Sequence, residues 1–101
     1  MYTVQQTQEF QEWLDALKDL RAQVRIVARL RLAEAGNLGD WKSVSGALCE
    51  MRVDVGAGYR LYFTRRAGVL IVMLAGGNKT SQQRGIVRAL RMLAELEIDH
   101  G

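Results

Sequence analysis

Ala47-Leu48-Cys49-Glu50-Met51-Arg52-Val53-Asp54-Val55, then Gly56-Ala57-Gly58, then Tyr59-Arg60-Leu61-Tyr62-Phe63-Thr64, is the stretch on which the fold turns. Ala47, Cys49, Met51, Val53 and Val55 alternate with Leu48, Glu50, Arg52 and Asp54. After the glycine break, Tyr59, Leu61 and Phe63 alternate with Arg60, Tyr62 and Thr64. A period of two on both sides of a turn predicts an antiparallel hairpin with one face in the core and one in water.

Downstream, Ala67-Gly68 turns the chain into Val69–Ala75, which is apolar at both parities and reads as a central strand covered on both faces. Gly76-Gly77 then breaks the run. Ser81 is placed to cap a final helix with Ile86, Val87, Leu90, Leu93 and Ala94 turned inward. Upstream, Tyr2–Gln6 reads as a short strand, and Thr7 as the cap of a helix burying Phe10, Trp13, Leu14 and Leu17. Asp19 caps a second helix with Leu20, Val24, Val27, Leu30 and Ala33 inward, ending at Gly36, so that the two helices form a hairpin. Residues 36–45 have turn formers without periodicity and read as a loop, with Trp41 pinning it to the core. The expectation is a single α+β domain over 1–101, order βααβββα, with a mainly antiparallel sheet.

Composition agrees with one small core. The 101 residues are 49% hydrophobic and 25% charged, which is ordinary for a globular chain and leaves no room for a second domain. Fourteen Lys and Arg against eleven Asp and Glu give a net charge of +3, so a polyanion is the expected partner. Acid concentrates at the ends, in Glu9, Glu12, Asp15 and in Glu95, Glu97, Asp99. The middle is correspondingly basic.

Several chemistries are excluded by residue type. Cys49 is the single cysteine and His100 the single histidine, so there is no disulfide, no zinc set and no Ser-His-Asp triad. No metal or cofactor is expected. Gly76-Gly77 before Lys79 lacks the spacing of a nucleotide-binding phosphate loop. Met1 leads into a mixed polar segment and the longest apolar run is Val69–Ala75, which predicts a cytoplasmic protein with no signal peptide and no membrane span.

The hairpin face carrying Glu50, Arg52, Arg60 and Tyr62 is the candidate site. Antiparallel pairing brings the two arginines within reach of one phosphate, and guanidinium forks match phosphate oxygens two at a time. Tyr62 can stack on a base or donate a proton, and Lys79 ends the adjoining strand. Metal-free RNA cleavage needs a base for the 2′-hydroxyl, cations for the charge on phosphorus and an acid for the 5′-oxygen, and these four residues are the catalytic candidates. The competing reading is a solvated sheet face on which Glu50 pairs with Arg52 or Arg60. Two further basic lines, Lys18, Arg21, Arg25, Arg29 and Arg84, Arg88, Arg91, fall at helical spacing and are RNA-backbone candidates or simply charged surface.

Taken in order, Phe10-x2-Trp13-Leu14, Gly36-Asn37-Leu38-Gly39-Asp40, Glu50-Met51-Arg52, Gly58-Tyr59-Arg60-Leu61-Tyr62-Phe63 and Gly76-Gly77-Asn78-Lys79-x2-Gln82 resemble the addiction-module killer proteins of the RelE/ParE toxin superfamily, HigB-type branch, from about Thr7 to Ala89. The resemblance implies a bacterial or phage-derived toxin of a type II toxin–antitoxin pair. Its partners would be a cognate antitoxin of helix-turn-helix type, the ribosome and mRNA, which members of this branch cut during translation. The implied site falls on Arg52, Arg60, Tyr62, Lys79 and Gln82. This chain departs from the pattern at Asn78, where an acid often precedes the lysine, and at Gly85, where an Asp is usual. The same superfamily includes non-enzymatic gyrase inhibitors, and an inert member that only binds RNA or its antitoxin is a third possibility.

Overall fold

The computed structural model describes the backbone of residues 1–100 and the side chains of residues 1–97. Asp99, counted above with the C-terminal acids, and His100 lie outside the described side chains. The elements are β1 (Thr3–Gln6), α1 (Gln8–Asp15), α2 (Leu20–Glu34), β2 (Trp41–Ser45), β3 (Leu48–Val53), β4 (Tyr59–Arg66), β5 (Leu70–Asn78) and α3 (Gln82–His100), with a 3-10 turn at Lys79–Ser81. The expected α+β domain is present, with one strand more than the periodicity indicated.

All five strands form one sheet in the order β1-β5-β4-β3-β2. Only β1 and β5 run parallel. The added strand is β2, in the segment read as a loop. Trp41 pairs with Met51 and Lys42 with Glu50, but a bulge between Ser43 and Ser45 interrupts the ladder. A bulge disrupts the local alternation, which hides so short a strand from a pattern search.

One face of the sheet packs on α1 and α2. Phe10, Ile26, Met51, Leu61, Phe63 and Met73 meet there with no exposed surface. Each such side chain contributes about 1.5–3 kcal/mol by leaving water. The expected α1 face is the observed one. The α2 face is so only in its second half: Leu30 and Ala33 are buried as expected, but Ala22 and Ile26 complete the face, whereas Leu20 is 70%, Val24 68% and Val27 36% exposed. Both helices start where anticipated, Thr7 accepting from the Phe10 amide and Asp19 from those of Arg21 and Ala22.

The second face, expected to be wet, is covered by α3. Leu48, Tyr62, Val72, Leu74, Ala89 and Leu93 make a second core there. Leu93 is turned inward as expected, with Ile86 and Leu90 packed at the margin, but Val87 is 58% exposed and Ala94 is also on the surface. Helix α3 is admitted so close by Gly85, where an added Cβ would lie 2.7 Å from Tyr62 Cε2.

Gly76 and Gly77 do not break β5 but lie within it, paired with Leu61 and Arg60. An added Cβ at Gly76 would come within 2.3 Å of the Trp13 ring, so the missing side chain is the seat of α1 on the sheet. Nor does Ser81 cap α3. Asn78 accepts from the Ser81 amide at 3.0 Å and from the Thr80 hydroxyl at 2.7 Å, and the 3-10 turn feeds directly into the helix. Among the described residues no helix is long and apolar enough to cross a membrane.

Candidate functional site

Strand pairing sets Arg52 opposite Arg60, Glu50 opposite Tyr62, and Arg60 opposite Gly77. Residues opposite one another share a face, so the four side chains converge on the α3 side of the sheet. Glu50 is their centre. It has no exposed surface, and its Oε1 lies 3.2 Å from Arg60 Nε and 3.7 Å from Arg52 Nε. Its Oε2 accepts from Gln82 Nε2 at 3.0 Å.

Geometry limits what each group can do. Arg60 Nε and Glu50 Oε1 are an ion pair without hydrogen-bond alignment, so neither buried atom is fully satisfied. An incompletely satisfied buried pair costs stability that an apolar pair would not. The Arg60 side chain is only 10% exposed, whereas that of Arg52 is 40% exposed. Lys79 is exposed, its amide tied to the Gly58 carbonyl at 2.9 Å at the same end of the sheet.

Tyr62 departs most from its expected role. It has no exposed surface, and its hydroxyl donates to the Gln82 carbonyl at 3.3 Å. Burial, assisted by the Glu50 charge, pushes its phenol up to about 12. As placed, it cannot stack on a base, and it holds its proton firmly.

The remaining candidates divide between the two faces. Arg84 is exposed and lines a cleft with Ser81 and Gly85 beside the site. Arg88 is an ion-pair partner of Glu9, in a groove of about 580 Å³ between α1 and α3. Lys18, Arg21 and Arg25 are exposed on the other side of the molecule, where α2 packs. Lys18 precedes α2, so the four cations do not form one helical line. Arg29 turns inward, its guanidinium donating to the carbonyls of Arg52, Leu38 and Asp40 at 2.5, 3.0 and 3.2 Å. Desolvation there lowers its pKa.

One residue of the site, Lys42, is absent from the sequence reading, and another, Glu50, has a different role in it. Alternation puts Glu50 on a solvated face, whereas the structure buries it as the hub of the cluster. Lys42, on β2 across from Glu50, adds an exposed cation to the same face. The Glu50-Met51-Arg52 triplet beside Trp41-Lys42 was the available signal, and it requires knowing that β2 is a strand.

No protein-family model matches the chain. It is 42% identical over 93 residues to an uncharacterized protein of Haemophilus influenzae, an alignment spanning 92% of this chain and 94% of that one. The two belong to one family.

Proposed function

We propose that this chain is the toxin of a type II toxin–antitoxin pair, of the RelE/ParE superfamily and HigB-type branch, acting in the cytoplasm as a ribosome-dependent mRNA endonuclease. The observation that carries the reading is the cross-strand pair Arg52 and Arg60, facing each other beside Glu50 at the sheet end where Lys79 emerges. Fixed guanidinium groups beside a reacting phosphate stabilise the charge gathered on its oxygens as the 2′-hydroxyl attacks. Arg52 and Lys79 are exposed enough to touch RNA, and Arg60 supports them from below. With Tyr62 covered, Lys79 is the member of the set left to carry a proton. The ribosome is expected to complete the acid–base pair and to present the message.

A second reading, the non-enzymatic gyrase inhibitor or an inert RNA- or antitoxin-binding member, is favoured by the same Glu50. A carboxylate in contact with both arginines offsets the positive charge that a phosphate would meet. Transcript ends mapped in cells expressing the intact chain and the Arg52→Ala and Lys79→Ala variants separate the readings. Cleavage in translated messages that drops on the order of 10²-fold in a folded Arg52→Ala protein is the expected result. Growth arrest with intact messages and damaged DNA overturns it in favour of the inhibitor, and no growth arrest at all favours the inert member.

A further inference from the structure

Helix α2 carries a second apolar stripe on the side turned away from the sheet. Leu20, Val24 and Val27 are 70%, 68% and 36% exposed, at helical spacing on the surface opposite buried Ala22 and Ile26. Two adjoining grooves of about 470 and 460 Å³ share Val24 and Ala28, the first walled by Leu14 of α1 and the second by Leu20. Scattered surface valines mean little, but a continuous apolar row rimmed by charge marks a place where another molecule sits.

The rim identifies the occupant. Arg21, Arg25 and Arg31 border the grooves, against Asp15 as the acid. A second copy laid α2 against α2 would set these guanidiniums against like charges, which is costly in a desolvated contact. A nucleic-acid backbone would satisfy the cations but leave the apolar row in water. An amphipathic helix satisfies both, its i, i+3, i+4, i+7 side chains filling the grooves and its flanking carboxylates meeting the arginines.

We propose that the outer face of α2 is the docking site for an amphipathic helix with acidic flanks, carried by a partner protein. The site lies on the other side of the sheet from Glu50 and Arg60, so the assignment does not rest on the nuclease reading. It also gives Arg21 and Arg25 a protein partner in place of RNA.

The test uses the full chain, ¹⁵N-labelled, and two synthetic helical peptides with the same leucine stripe, one flanked by glutamate and one by lysine. The glutamate peptide is expected to move the amide signals of Val24, Val27 and Ala28 and to bind about tenfold more tightly than the lysine peptide. Val24→Glu, at an exposed position that leaves the core untouched, is expected to weaken that binding by about tenfold or more. Equal affinity for both peptides, or shifts confined to other surfaces, overturns the proposal. So does a dimer in sedimentation that Val24→Glu dissolves, which would assign the face to a second copy. A single-stranded oligonucleotide that displaces the glutamate peptide would assign it to nucleic acid.

Discussion

At the scale of single residues, Gly85 and Glu50 show how contacts overrule intrinsic preference. Glycine inside a helix costs about 1 kcal/mol relative to alanine, so propensity alone ranks Gly85→Ala as stabilising. Against that gain stands a Cβ 2.7 Å from a Tyr62 ring with no free surface to retreat into. Overpacking of this kind costs about 1–3 kcal/mol, and the net expectation is a lower Tm for Gly85→Ala, read by thermal unfolding. An unchanged or higher Tm would show that α3 is loosely seated. Glu50→Ala leaves Arg60 buried beside a vacated carboxylate site and is expected to cost about 3–5 kcal/mol in urea unfolding. Replacing Glu50 and Arg60 together by leucine should recover a large part of that loss, because the cost lies in the unpaired charge rather than in the lost attraction.

At the scale of elements, Arg29 binds helix to sheet. Its guanidinium reaches from α2 to the carbonyl of Arg52 on β3 and to those of Leu38 and Asp40 leading into β2. Hydrogen bonds from a charged donor contribute about 1.5–3 kcal/mol net, so Arg29→Leu is expected to destabilise by about that amount. The loss should appear as faster amide exchange across Trp41–Ser45, while α3 retains its protection. Uniform loosening of the whole domain would assign Arg29 a merely global role. Element by element, much was legible beforehand. The β3–β4 hairpin and the facing of its side chains follow from the alternation of Cys49, Met51, Val53 with Glu50 and Arg52, and the caps Thr7 and Asp19 announce α1 and α2. The inner face of α2 was not legible, because Leu30 and Ala33 belong to two apolar stripes and only the sheet decides between Ile26 and Val24. Nor was the covering of Glu50 and Tyr62: alternation marks a strand as two-faced without saying what lies over the polar face.

At the scale of the whole molecule, the core under α3 makes stability sensitive to alkali through Tyr62. The Tyr62 phenol is raised from an ordinary value of 10.0 to about 12. A proton held more tightly in the folded than in the unfolded chain contributes stability that is complete below pH 10 and is lost as pH rises through about 12. The chain should therefore lose Tm between those limits more steeply than Tyr62→Phe, in which this linkage is absent. Parallel curves would show that the phenol ionises as freely in the native state as in the denatured one. The covered site itself is half legible: antiparallel pairing puts Arg52 beside Arg60 and the family resemblance adds Gln82, but the charge balance set by Glu50 depends on depth, which a linear pattern does not encode.

The parallel strand β1 has a consequence for biosynthesis. Thr3–Gln6 pairs with residues 70–73, so β1 has no partner strand until β5 has been made. Until then the emerging polypeptide carries an open sheet and an unroofed Glu50, since α3 follows later still. Closure of the site thus waits for β5 and α3 in the order of synthesis, and any product truncated before Leu70 leaves β1 without a neighbour to pair with.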